Sequence, residues 1–394
     1  MHDRVDAGDF VLIRDAEADG LLDRPADRIG QHEGVDRYAE SCQRLNSELL
    51  QAAGVAAPLG LIAPRVFAGN RLAVPDSLMA PPICRAAATV PVTVVSQRRA
   101  VKLTWNANAI CTVGVPVAQQ KGYFSKRNLD VDLINFGGST DQLLEAIATG
   151  KADAGVGMAL RWLKPLEQGF DVRITTGIHG GCMRLLAAKG SGITSLEHLK
   201  GKVVGVADLG APDKNFFSIR LAKLGIDPLA DVEWKVFPAD LLPVALQKGE
   251  IQAFTLGDPL AWVIRDRDGL AEVATNLDGD YAHRTCCVLG VRGGLIRDDK
   301  PAAAALTEAI LEAQGFVFDH PEEAAAIFAP YAPSAKPEQL VAMLRSHTHG
   351  HHPVGADLRQ EIALYTDELK AISVIKPNTN TERFAAKVYA DVLS

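Results

Sequence analysis

The stretch 134-INFGGSTDQLLEAIATGKADAGVG-157 leaves a β-branched apolar run, turns on two glycines and a Ser-Thr pair, and enters a helix-like segment. It stops at Gly150 and resumes as an apolar run from Ala152. A glycine closing a helix is the expected stop, because it takes the left-handed conformation without a Cβ penalty. Ser139 with Gln142 fits a capping box for the first turn. The same amides and the helix dipole suit an anionic or carbonyl oxygen. A nucleotide-hydrolysing phosphate loop needs a lysine directly before its Ser/Thr, and none follows Gly138.

The pattern repeats about a hundred residues on. The run 143-LLEAIATGKADAGVG-157 is echoed by 241-LLPVALQKGEIQAFTLG-257, each a helix, a glycine, a charged residue and an apolar strand. Around the first copy, the runs 101-VKLTW-105, 129-LDVDLINF-136 and 172-VRITTGI-178 alternate with helix-like segments at 114–124, 140–150 and 159–169. Around the second lie 183-MRLLAAK-189, 202-KVVGVA-207, 232-VEWKVF-237 and 251-IQAFTL-256, with helices near 213–223 and 239–248. Strands separated by helices of this length imply mostly parallel sheets, and the echo implies two similar lobes. After 286-CCVLGVRGGLI-296 the chain reads as helical to its end, several helices opening on proline, where the missing N–H costs least.

The composition excludes several classes. The chain has 394 residues, 47% hydrophobic and 23% charged, with a formal charge of −7. That is a globular balance and argues against a general nucleic-acid binder, which shows a basic stripe. No apolar run is long enough to span a bilayer. Six cysteines occur, none in a CxxC pair, so neither a disulfide scaffold nor a structural zinc motif is expected.

The first hundred residues differ in character. Residues 1–101 hold eleven arginines and no lysine, whereas 102–394 hold seventeen lysines. Within them, 39-AESCQRLNSELLQAAGVAAPLGLIAPRVFAG-69 has the apolar region and small-residue 66-VFA-68 ending of an export signal, begun some forty residues late. Three readings stand: a displaced signal, an extension foreign to the fold, or a small domain. Residues 1–100 are therefore set apart as an N-terminal extension.

The segment 116-PVAQQKGYFSKRNLDVDLINFGGSTDQLLEAIATGKADAGVG-157, continued by 194-TSLEHLKGKVVGVAD-208, resembles the SsuA/THI5-like (NMT1) family. These are the periplasmic solute-binding proteins for nitrate, taurine, alkanesulfonates and thiamin-pyrimidine precursors, and the resemblance extends over roughly residues 101–394. It implies an α/β, two-lobed periplasmic-binding-protein fold of type II. Each lobe would be a mixed, mostly parallel sheet flanked by helices, followed by a helical C-terminal part. Lobe one is expected at about 101–180 plus 288–394, and lobe two at about 181–287. The resemblance further implies a periplasmic monomer that passes a small organic anion or heterocycle to the permease and ATPase subunits of an ABC importer. It implies no enzyme activity, cofactor or metal. The alternative on the same fold is an enzyme of thiamin-pyrimidine precursor synthesis. That role calls for a Schiff-base lysine, for which Lys214 is the candidate. The fungal synthase of this kind uses a cysteine-rich iron motif, and no such run occurs in this chain.

Ligand candidates follow from strand ends, where open α/β sheets bind. Trp105 offers a flat face, and Asn106 and Asn108 offer donors and acceptors; the competing reading makes Trp105 core and the asparagines turn formers. Gly138, Ser139 and Thr140 form the glycine turn, and Met158 ends the apolar strand beyond it. His179 and Cys182, with Arg184, fall where a crossover strand is expected. In the second lobe Asp208, Asp213 and Asn215 surround a helix start, where an aspartate either caps the helix or meets a ligand amine. Asp258 follows the second echoing strand. Cys111, Cys182, Cys286 and Cys287 read as small buried hydrophobes. Adjacent Cys286 and Cys287 on a strand are expected to point to opposite faces. The group His347, His349, His351 and His352 has the density of imidazoles that binds zinc, nickel or copper, but with no carboxylate or cysteine adjacent it is expected to be a surface turn that takes metal only adventitiously.

Overall fold

A computed structural model describes residues 92–137 and 140–394, the side chain of Thr140 excepted. The 39–69 segment and the turn residues Gly138 and Ser139 lie outside the described residues. The first sheet contains β1 (Arg99–Trp105), β2 (Leu129–Asn135), β3 (Ala154–Met158) and β4 (Val172–His179). The second contains β5 (Met183–Ala187), β6 (Val203–Val206), β7 (Glu233–Val236), β8 (Ala253–Gly257) and β9 (Ala271–Thr275). The chain then returns to the first sheet as β10 (Cys287–Arg292).

The strand orders are β2-β1-β3-β10-β4 and β7-β6-β8-β5-β9, and they superpose term by term. In each, one central strand pairs in parallel with its successor and with the strand of the echo: Leu103 faces Ala154 in β1–β3, and Val204 faces Ala253 in β6–β8. The antiparallel strand of each sheet is supplied by the far side of a crossover. β5, directly after β4, pairs antiparallel with β8, and β10, after β9, pairs antiparallel with β3. Two crossovers therefore join two lobes, and residues 179–183 and 275–287 run between them.

The echo has a backbone cause. Helix α1 (Gly114–Gln120) follows β1, α2 (Thr140–Ala148) leads into β3 and α3 (Ala159–Glu167) leaves it. In lobe two, α4 (Pro212–Lys223) follows β6, α5 (Leu242–Gln247) leads into β8 and α6 (Leu260–Asp268) leaves it. Gly150 after α2 has φ +78° and Gly249 after α5 has φ +74°, so both copies end on the left-handed residue that only glycine adopts freely.

The remaining helices are α7 (Gly293–Asp298), α8 (Lys300–Asp319), α9 (Pro321–Phe328), α10 (Pro337–Ser346), α11 (Gly355–Ala371) and α12 (Thr381–Val388). Proline occupies the first turn of α8, α9 and α10. The α8 helix packs against α1 and β4, and its Ala302, Ala303, Leu306, Ala309, Ile310 and Ala313 are buried. Strand β9 and helix α6 have no counterpart in the sequence reading. β9 is short and only partly buried, and α6 is charged over its second half, so neither carries a clear apolar period.

Candidate functional site

Between the lobes lies a cavity of about 280 Å³. Lobe one contributes Asn106, Asn108, Asp141, Met158 and Arg161 to its wall, and lobe two contributes Met183, Asp208, Asp213, Leu256 and Asp258. All but Met183, which opens β5, come from the carboxyl end of a strand or the first turn of the helix after it, where side chains converge on the crevice.

Asn106 and Asn108 both shape the turn and reach the cavity. The Asn106 carboxamide oxygen accepts from the Asn108 backbone N–H at 2.9 Å, and Asn108 Nδ2 donates to the Gly137 carbonyl at 3.2 Å. Met158 lines the wall at the end of β3. Trp105 does not: it is 3% exposed and meets Tyr331 edge-on at 4.9 Å between ring centroids. The alternation of β1 sends residue 105 to the core face, so the expected aromatic platform is corrected to a core residue.

Arg161 is the residue that sequence reasoning missed. It stands in the first turn of α3, the wrong end of a helix dipole for a cation. That misplacement was the available signal, and the cleft carboxylates explain it. Nε donates to Asp141 at 2.7 Å within lobe one, while Nη1 and Nη2 donate to Asp208 of lobe two at 3.2 and 3.0 Å. The Arg161 hydrogen bond is the main cause holding Asp208 below the ordinary carboxylate range. Asp208 also accepts from the Gly210 N–H, but it does not cap α4, whose N-cap Ala211 has no side-chain bond.

Asp213 sits in the first turn of α4, 7% exposed, and accepts from the Thr255 hydroxyl. Burial pushes its carboxyl above the ordinary value, and among the described residues no cation pairs with it. Asn215, two residues further along α4, is not on the wall; its Nδ2 donates across the lobes to the Leu160 carbonyl at 3.1 Å. Lys214 also points away from the cavity, with Nζ 5.6 Å from the Trp234 ring centroid.

Asp258 is neutralised in place. Arg184 donates to it through Nε at 2.9 Å, and its guanidinium stacks on Trp262 at 4.5 Å. His347 Nε2 lies 2.8 Å from Oδ2, an oxygen that Arg184 Nε also reaches at 2.9 Å. Burial works to raise Asp258, but His347 and Arg184 outweigh it and hold it below the usual range. Arg184, read from sequence as a charge for the ligand, is therefore committed to Asp258 and Glu272.

Beneath the floor lie His179 and Cys182, 0% and 1% exposed, neither on the wall. The four cysteines named above are not scattered. Cys182 Sγ is 3.7 Å from Cys286 Sγ, which is 3.6 Å from Cys287 Sγ, and all four, Cys111 included, are buried with free thiols. The expected opposition of Cys286 and Cys287 fails because β10 begins only at Cys287, with a register shift immediately after it. Contacts with Cys182 and Cys287 lower the Cys111 thiol to about 6. The histidines are corrected likewise: His347 and His349 are 7% and 2% exposed rather than on a surface turn, and both rings pack against His179. His351 is half-buried on Glu361.

Two lobes, exchanged antiparallel strands and a cleft at the strand ends define a periplasmic-binding-protein fold. Escherichia coli SsuA, the periplasmic aliphatic sulphonate binding protein, superposes with a TM-score of 0.63 at 16% identity, covering 74% of this chain and 92% of that one. The family model described as "NMT1/THI5 like" matches residues 111–324, over half of the chain, and the chain belongs to that family. A Haemophilus influenzae protein whose name assigns it provisionally to thiamine biosynthesis is 27% identical over 60% of this chain and 74% of its own length. The Saccharomyces cerevisiae 4-amino-5-hydroxymethyl-2-methylpyrimidine phosphate synthase THI11 is 34% identical over 23% of this chain and 26% of its own.

Proposed function

We propose that the chain is the periplasmic solute-binding component of an ABC importer, and that its solute is a small neutral or cationic nitrogen heterocycle of the aminopyrimidine type. The observation that carries the choice of solute is the cleft's charge. Asp141, Asp208 and Asp213 face it against Arg161, the one cationic side chain among the described residues of the wall, while Asp258 is balanced from behind the wall by Arg184. Arg161 is already shared between two carboxylates. A sulfonate or nitrate entering this cleft would meet more negative than positive charge in a low-dielectric space. Asp213 is the favourable partner instead. As a carboxylic acid it offers a donor and an acceptor side by side, and as a carboxylate it accepts from an amine or ring N–H. Met158, Met183 and Leu256 supply apolar surface for a ring. The likeness to SsuA supports the binding role, and the names of the Haemophilus and yeast relatives support a pyrimidine-type ligand.

The alternative is a synthase on the same fold. Among the described residues on the cavity wall there is no lysine, and Lys214 lies against Trp234. These residues do not fit a Schiff-base cofactor, so no step is derived through one.

Thermal shift and calorimetric titration against aminopyrimidines, nitrate, taurine and alkyl sulfonates test the reading. Aminopyrimidines are expected to raise the melting temperature, since a ligand bound only by the folded state stabilises it. A shift with sulfonates and none with aminopyrimidines would overturn the choice of solute, and no shift with any would overturn the binding role.

A further inference from the structure

Three stretches of chain far apart in sequence bring sulfur and imidazole together beneath the cleft floor. Cys111 lies in the short helical turn after β1, His179 ends β4, Cys182 lies in the first crossover and Cys287 opens β10 at the end of the second. One ligand atom from each lies within 4.8 Å of the others, and all four residues are buried. Neighbourhood in sequence does not account for such a meeting, and a core needing only small hydrophobes has no reason to gather its thiols at one point.

A chain of hydrogen bonds fixes the state of the histidine. Asp258, ionised by its Arg184 partner, can only accept, so the proton of His347 sits on Nε2, 2.8 Å away. With His347 neutral, its Nδ1 is a bare acceptor 3.1 Å from His179 Nε2, which then carries the proton between them. That leaves His179 Nδ1 with a lone pair. It is buried and has no hydrogen-bond partner. An orphaned nitrogen in the interior carries a full desolvation penalty, which coordination to a cation removes. Carboxylate, outer histidine and inner histidine in line are also how metal-bound imidazoles are oriented.

We propose that Cys111, His179, Cys182 and Cys287 bind a single zinc ion at the junction of the two crossovers. Three thiolates and one neutral imidazole are a closed tetrahedral donor set for this ion. Binding displaces the three thiol protons to solvent and needs no oxidant. Cys286 lies beside this group, its Sγ 3.7 Å from that of Cys182. The ion ties the turn after β1 to both crossovers, and so stiffens the segments about which the lobes move. The inference is independent of which solute the cleft takes.

The test is the metal content of the full chain, purified under reducing conditions without chelator, followed by cobalt(II) loading of the stripped protein. About one zinc per chain is expected, with a cobalt(II) form showing intense tetrahedral d–d bands and a near-ultraviolet thiolate charge-transfer band. Cys111→Ser and Cys287→Ser should each weaken the charge-transfer band. His347→Gln, which leaves every ligand in place, should lower zinc affinity about 10–100-fold. Circular dichroism separates these effects from failure to fold. Stripped, folded protein that takes up neither zinc nor cobalt(II) would overturn the proposal. So would full zinc occupancy in the Cys111→Ser/Cys287→Ser double variant, or a Cys182–Cys286 disulfide in protein isolated without reductant.

Discussion

Arg161 of lobe one donates two hydrogen bonds to Asp208 of lobe two, at 3.2 and 3.0 Å, while its Nε holds Asp141 of its own lobe. The contact bridges the lobes beside the cavity, so Arg161→Ala is expected to enlarge the open population. Small-angle scattering should register a larger radius of gyration for the variant without solute. The cost in global stability should stay below about 1 kcal/mol, because both carboxylates are more than half exposed and solvent screens them. An unchanged radius of gyration would show that other contacts set the closure.

The same latch has a pH dependence. Asp208 is held below its ordinary value in the folded chain, chiefly by Arg161. Its contribution is therefore complete above the unfolded carboxylate value and is lost as pH falls through the lower folded one. Scattering as the pH is taken below 3.8 should show the wild-type radius moving toward that of Arg161→Ala, whose own radius changes less.

Asp213 shifts the other way. Burial raises its carboxyl, so the folded chain resists an ionisation that the unfolded chain undergoes near 3.8. The penalty grows as pH rises from the unfolded value to the folded one and is constant above that. Asp213→Asn should therefore melt a few degrees higher than wild type near neutral pH and show little difference at about pH 3. The same variant should bind the aminopyrimidine solute roughly 10- to 100-fold more weakly, the loss of a charged hydrogen bond worth about 1.5–3 kcal/mol. Equal melting curves at both pH values would remove the argument from burial.

Much of the fold was legible in the sequence because its signals are local. Gly150 and Gly249 mark equivalent helix ends, and Pro301, Pro321 and Pro337 mark helix starts. The cavity wall was legible where a polar residue follows a strand directly, as with Asn106, Asn108, Asp208 and Asp258. What sequence spacing cannot carry is which partner a side chain finds across the molecule. Arg184 looked free until Asp258 was placed 74 residues away in sequence and 2.9 Å away in space. His179 and His347, 168 residues apart, gave no sign of facing each other. Trp105 was misread because a flat ring at a strand end fits a ligand and a core equally well, and only Tyr331 decides it.

The glycines of 154-AGVGM-158 have a packing reason that can be tested. A Cβ on Gly157 would lie 2.1 Å from Trp162 Cζ2, and one on Gly290 of β10 would lie 2.6 Å from Cζ3. Trp162 is fully buried, so the indole lies against two strands that must both lack side chains there. Gly157→Ala should cost about 1–3 kcal/mol by overpacking, and Trp162→Ala about 3–5 kcal/mol by the cavity it leaves. Combined, they should cost less than the sum, since the new methyl occupies space the ring has vacated. Urea unfolding of the cycle measures this, and strict additivity would contradict the proposed contact.

Asp258 offers the sharpest contrast between a residue's charge and its worth. Its side chain is fully buried, and it accepts from Arg184, from His347 and from the Trp262 backbone N–H at 3.1 Å at the start of α6. Asp258→Ala strands the Arg184 guanidinium, 3% exposed, with Glu272 as its remaining anion. Breaking a buried pair in this way costs about 3–5 kcal/mol. Removing the stranded charge as well should recover much of that loss, because the desolvation penalty disappears with it. Urea midpoints of Asp258→Ala, Arg184→Met and Asp258→Leu/Arg184→Met are the measurement, with the double variant expected to be more stable than Asp258→Ala alone. A double variant less stable than either single would mean that the ion pair earns its place through net attraction rather than by satisfying charges already buried.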